Sequence, residues 1–218
     1  MSNRALIVHG GWEGHVPGQT AALYSKLLGE EGFHVDVFDD LEAFRKLEDG
    51  EHSLVVPMWT MGTIDNELVK IVSDAVRGGV GLAGFHGGMG DAFRNSTDWQ
   101  FMTGAQFVAH PGNIIPYSVE ITNAAHPVTR GLGNFRMESE QYYMHFDPSV
   151  RVLATTTFSG KHAPETSGVV MPVAYTKAWG GGRVFYCSLG HSMSDLEVPE
   201  CRTLILRGML WAARELPE

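Results

Sequence analysis

The sequence predicts an α/β protein built on a doubly wound, mostly parallel sheet, with extra strands in its C-terminal half. Three observations carry that expectation. Between Arg4 and Gly90, short apolar runs alternate with stretches of helical spacing, the pattern of repeated βαβ units. Residues 80–85, VGLAGF, form an unbroken apolar run, as a strand buried on both faces of a parallel sheet requires. That run stops abruptly on His86-Gly87-Gly88, a strand-to-helix turn of the kind that lifts a reactive side chain above a sheet.

The elements follow in order. Residues 4–9, RALIVH, read as strand one and run into the glycine-rich loop GGWEGH, which carries Trp12 and His15. Residues 17–31 have helical spacing, with Leu23, Leu27 and Leu28 on one face and Gly32 as the stop. Residues 33–38, FHVDVF, alternate as strand two, and residues 40–47 form a short helix capped by Asp40. Residues 53–58 are strand three, ending at Trp59-Thr60. Residues 64–77 are a helix with Leu68, Ile71, Val72 and Ala75 in register, closed by Gly78-Gly79. Strand four then leads to His86. In such sheets ligands sit beyond the carboxyl ends of the strands, where His9, His15, Trp59 and His86 fall.

The second half is less regular. Residues 98–104 read as a short helix, and His110 lies in the segment 106–112, QFVAHPG. Residues 117–122 and 151–158 read as strands, and the polar-aromatic stretch 138–145, ESEQYYMH, as a loop. Residues 171–176 and 183–189 are strands joined by a hairpin-like link over 177–182, and His191 follows the second. Residues 199–214 form a closing amphipathic helix. With no internal repeat and no linker, residues 1–218 read as one domain.

Composition narrows the partners. The chain has a formal net charge of −9, which opposes a polyanion, so nucleic acid is not an expected partner. No apolar run approaches the roughly 20 residues of a membrane span, and no basic segment followed by an apolar run opens the sequence, so a cytoplasmic protein is expected. The two cysteines, Cys187 and Cys201, cannot build a disulfide framework or a zinc knuckle, and Cys187 in the middle of a strand reads as buried and inert. HGGWEGH gives neither a dinucleotide fingerprint nor a phosphate-loop lysine, so no nucleotide cofactor is expected.

The chemistry rests on histidines at predicted strand ends and in glycine loops: His15, His86, His110 and His191. Rigid strand ends suit imidazoles that move protons or bind a metal, although neither CxxC nor HExxH spacing is present. His9, His34, His52, His126 and His162 read as structural or exposed. Glu140 lies among Tyr142, Tyr143 and His145. It reads either as a base with a raised pKa or as a surface acid beside packed aromatics. Asp195 and Glu197 are placed to orient His191 or are solvated loop acids. Trp12, Trp59 and Trp179 offer faces on which a sugar ring can stack.

Taken together, GGWEGH, GFHGG, AHPG, AHPVTRGL, the ESEQYY stretch and PVAYTKAWGGGRVFYCSLGH resemble the ThuA-like trehalose utilisation family over nearly the whole chain. The resemblance implies a flavodoxin-like sheet similar to that of class I glutamine amidotransferases. There a Cys occupies the elbow; His86 stands in its place here, so thiolate-dependent glutamine hydrolysis is not expected. The resemblance further implies His86, Glu140 and His191 as catalytic residues, although Ser139 stands where an acid is common. It also implies a role in disaccharide catabolism beside an oxidoreductase that makes keto sugars. The expected activity is acid/base chemistry on a disaccharide or keto-disaccharide. A divalent metal, Zn or Mn, would be held by His86, Glu140 and His191, with Trp12, His15, Trp59, His110, Tyr142 and His145 contacting substrate. The alternative is a non-catalytic sugar-binding or regulatory protein. A homodimer is compatible with the size and fold.

Overall fold

The computed structural model describes residues 3–216. Among these, one mixed nine-stranded sheet runs through the molecule in the order β2-β1-β3-β4-β11-β10-β9-β6-β7. Strands β1 (Arg4–Gly11), β2 (His34–Phe38), β3 (Leu54–Thr60), β4 (Gly81–Phe85) and β11 (Gly182–Cys187) pair in parallel. Strands β6 (Ile114–Ile121), β7 (Phe135–Glu140), β9 (Arg151–Thr157) and β10 (Val170–Trp179) extend this core by antiparallel pairing. A separate two-stranded sheet joins β5 (Ala105–Ala109) to β8 (Tyr143–Phe146).

The expected double winding follows from side-chain alternation. In β1, Ala5 and Ile7 enter one apolar layer while Leu6 and Val8 enter the other. Helices α1 (Pro17–Glu30) and α6 (Pro199–Ala212) cover the first layer through Tyr24, Leu28, Leu204 and Ile205. Helices α2 (Asn66–Arg77) and α4 (Thr97–Thr103), with a tight helical segment over Leu41–Asp49, cover the second. Asp40 caps that segment by accepting from the Glu42 amide, and Asp65 caps α2 in the same way.

Two stretches differ from the sequence reading. Residues 138–145 are not a loop. Phe135, Met137 and Ser139 point inward between outward Arg136 and Glu138, so β7 runs into Glu140 and β8 begins at Tyr143. The alternation starts upstream of the polar run, and the polar run concealed it. The link after residue 176 is also shorter than expected. β10 continues to Trp179, which pairs with Gly182 across a two-residue turn. Lys177 is buried there, and its ammonium offsets the cost of leaving water by bonding Asp147 at 2.9 Å and the Phe101 carbonyl.

Both thiols are buried, Cys187 in β11 and Cys201 in α6, and burial pushes the Cys187 thiol up to about 12. No helix among the described residues is long and apolar enough to cross a membrane.

Candidate active site

Strand β4 ends at Phe85, and His86 turns the chain into α3 (Gly87–Gly90) with φ 48° and ψ −139°. A non-glycine residue in that region carries strain of about 1–3 kcal/mol, so its surroundings must hold it there. They do so by its amide donating to the Cys187 carbonyl at 2.7 Å and its carbonyl accepting from the Tyr186 hydroxyl at 2.9 Å. The imidazole is buried and donates from Nδ1 to the Ser188 carbonyl at 2.9 Å. Nε2 is thereby directed at Glu140 Oε2 (3.1 Å), the Tyr142 hydroxyl (2.9 Å) and His191 Nδ1 (3.3 Å).

Glu140 closes β7, its carbonyl accepting from the Tyr117 hydroxyl at 3.2 Å. Its Oε2 also lies 3.3 Å from His191 Nδ1, and its Oε1 lies 3.6 Å from His110 Nε2. Burial acts to raise this carboxyl, but hydrogen bonds from His191 and His86 outweigh it and hold the group well below the usual carboxylate range. Neither reading of Glu140 holds: its pKa is lowered where one reading had it raised, and it is buried where the other had it on the surface. Its hydrogen bond in turn raises His191. Asp195, buried in α5 (Met193–Glu197), accepts from the His191 amide at 2.9 Å and from the Ser139 hydroxyl. One carboxylate thus ties the turn after β11 to the end of β7.

His15 enters from the turn after β1. Its Nδ1 lies 2.8 Å from Thr60 Oγ1 at the end of β3, and its ring stands edge-on to His86 and His191 at 4.5 and 5.1 Å. A Cβ on Gly87 would stand 2.7 Å from this ring, so only glycine allows the approach. His15 Nε2 is buried without a hydrogen-bond partner. Burial, reinforced by His86 and His191, pushes the imidazole down to about 3, so it is neutral at ordinary pH. One donor atom from each of His15, His86, Glu140 and His191 lies within 4.8 Å of every other, an arrangement that could hold a metal ion.

The remaining sequence-selected residues divide. Trp12 stands half-exposed against His15 at 4.7 Å. Tyr142 stacks on His86 at 4.2 Å, and burial pushes its hydroxyl well above the usual range. His110 is half-buried beside Glu140. Trp59 instead packs over Gly10 and Gly62, and the contact with His15 belongs to its neighbour Thr60. His145 lies on the exposed face of β8, lining a surface depression with Phe101 and Phe146. Trp179 packs against Phe101 and Arg77 and bonds Ser73. Sequence reasoning missed Thr60, the Ser188 carbonyl and Tyr186. The position of Thr60 at a strand end beside the glycine loop was the available signal.

Residues 4–212 match the trehalose utilisation family, ThuA. The chain belongs to that family, and so to sugar utilisation. A comparison with curated proteins gives no match. Among solved structures, a ThuA-like protein of Parabacteroides merdae superposes with a TM-score of 0.81 at 20% identity, covering 100% of this chain and 92% of that one. A ThuA-like protein of Bacteroides uniformis gives 0.77 at 20% identity, covering 97% and 91%. A cytoplasmic protein of Salmonella typhimurium gives 0.69 at 12% identity, covering 96% and 99%. These likenesses establish the ThuA-like, flavodoxin-like fold. The strand order 2-1-3-4 of the parallel half is that of this fold, and its switch point lies between β1 and β3. His15 and Thr60 meet just beyond it.

Proposed function

We propose that the protein is a sugar-utilisation enzyme that acts on a disaccharide or keto-disaccharide of the trehalose type by acid/base chemistry assisted by a divalent cation, Zn or Mn. The observation that supports this reading best is the convergence of His86, His191 and Glu140 at one buried spot beyond the strand ends, with separations of 3.1 to 3.3 Å. A carbonyl acidifies the C–H bond beside it, so a held base can take that proton and a held acid can return one to a departing oxygen. His110 suits proton transfer. It is partly open to solvent, and its Nε2 lies 3.6 Å from Glu140 Oε1, outside the cluster of four. The Tyr142 hydroxyl, kept protonated by burial, is a donor at the same spot. Trp12 offers an exposed face for a sugar ring beside His15. A divalent cation held by His86, Glu140 and His191 would supply a Lewis acid for a substrate oxygen. In this reading the protein works in the cytoplasm on a sugar supplied by an oxidoreductase.

The test is incubation of the purified protein with oxidised and unoxidised disaccharides, with products followed by chromatography. Product is expected from the oxidised sugars. His86→Ala is expected to lose about 10²-fold or more in turnover while remaining folded. Full activity in a soluble His86→Ala protein would sink the proposal. Saturable sugar binding with no product would favour a binding protein instead.

A further inference from the structure

We infer that His15 is the fourth ligand of a transition-metal site completed by His86, His191 and Glu140. The inference deepens the proposed function, on which it rests for the use of the site. The metal binding itself stands on geometry.

Bonds of about 2.0–2.2 Å to a tetrahedral ion put its ligand atoms roughly 3.3–3.6 Å apart. His86 Nε2, His191 Nδ1 and Glu140 Oε2 are separated by 3.1, 3.3 and 3.3 Å, so they already form one face of such a shell. His15 offers the fourth corner, and a substrate oxygen would then enter as a fifth ligand. The residue is 9% exposed, and its Nε2 is buried and meets no hydrogen-bond partner. An imidazole nitrogen held in that way is costly unless something else takes its lone pair.

The supporting contacts fix which nitrogen is available. His86 donates a hydrogen bond from Nδ1 to the Ser188 carbonyl, so Nε2 is the nitrogen that would be offered to an ion in place of its contact with Glu140. The Thr60 hydroxyl, 2.8 Å from His15 Nδ1, can accept from that nitrogen, and in that tautomer His15 Nε2 is offered in the same way. Such outer partners orient metal-binding histidines. The His191 backbone is held by Asp195. An ion would displace the Tyr142 hydroxyl from His86 Nε2, which it reaches at 2.9 Å, and free that hydroxyl for substrate. Three imidazoles and one carboxylate suit ions from Mn²⁺ to Zn²⁺, whereas Mg²⁺ and Ca²⁺ demand an oxygen shell.

The experiment strips the full-length protein with a chelator and titrates it with Zn²⁺, Mg²⁺ and the spectroscopic probe Co²⁺, without any sugar. The parent chain is expected to bind one Zn²⁺ or Co²⁺ and to ignore Mg²⁺. His15→Ala and His15→Gln are expected to bind Zn²⁺ at least tenfold more weakly and to change the visible spectrum of bound Co²⁺. Thr60→Val, which keeps every ligand, is expected to weaken binding by about 10- to 100-fold. Thermal melts of the stripped proteins check that each variant is folded, and the Thr60 variant carries the test if both His15 variants unfold. Two results would overturn the inference: no Zn²⁺ or Co²⁺ bound by the parent, or unchanged affinity and Co²⁺ spectrum in folded His15 variants. If those variants do not fold, unchanged Zn²⁺ affinity in Thr60→Val overturns it. Tight binding with no turnover of any sugar would instead defeat the proposed function and leave the metal site standing.

Discussion

His86 combines a buried imidazole with a backbone conformation that suits glycine. That combination can be separated experimentally. His86→Ala and His86→Gly remove the same ring, and both leave Glu140 without that partner. At an ordinary position alanine is the more stable of the two by about 0.4–1 kcal/mol, because glycine gains more freedom in the unfolded chain. At φ 48° the order is expected to reverse, with glycine the more stable by about 1 kcal/mol in urea unfolding. The importance of His86 was legible in the sequence, because an apolar run that ends in a histidine and two glycines has few other readings. His15 was legible only as a loop histidine. Nothing in local spacing says that the turn after β1 leans back over β4. The gap at Gly87 that admits its ring is a three-dimensional fact.

Among the elements, the turn after β11 and the end of β7 are joined twice, by Asp195 between the His191 amide and Ser139 and by the His191–Glu140 contact that Asp195 supports. Hydrogen bonds to a buried carboxylate contribute about 1.5–3 kcal/mol each. Asp195→Ala should therefore lower unfolding stability by about 3 kcal/mol and displace His191 from Glu140. Asp195→Asn keeps one acceptor and should lose less, and paired denaturation and turnover measurements would separate the two effects. The sequence offered Asp195 as an orienting group but gave no sign of Ser139 as its second partner. That partnership depends on β7 being a strand, which the polar character of ESEQYY hid. The parallel half was readable because strands buried on both faces leave unbroken apolar runs. The antiparallel half carries weaker alternation, so its boundaries were read less well.

Across the whole molecule, the Lys177–Asp147 pair couples β10 to the segment after β8. The Asp147 carboxyl is held down to about 2, first by the Ser149 amide and then by Lys177, against an ordinary value of 3.8. A carboxyl depressed in the folded state contributes stability above its unfolded value, and that stability is lost as pH falls. Urea unfolding should therefore weaken between about pH 4 and pH 2, and Asp147→Asn should show a shallower decline than the parent chain over that window. A variant with the same slope as the parent would remove Asp147 from the account of acid sensitivity.

The groups that meet at the centre come from the turn after β1, the end of β4, the end of β7 and the turn after β11. The first is His15 and the last His191, so the cluster draws on nearly the full length of the polypeptide. A chain leaving the ribosome carries most of these side chains long before the final one emerges, and until then they have nothing to close around. The centre is therefore among the last parts of the molecule that can close, and a ligand bound there would clasp one of its earliest-made turns to one of its latest.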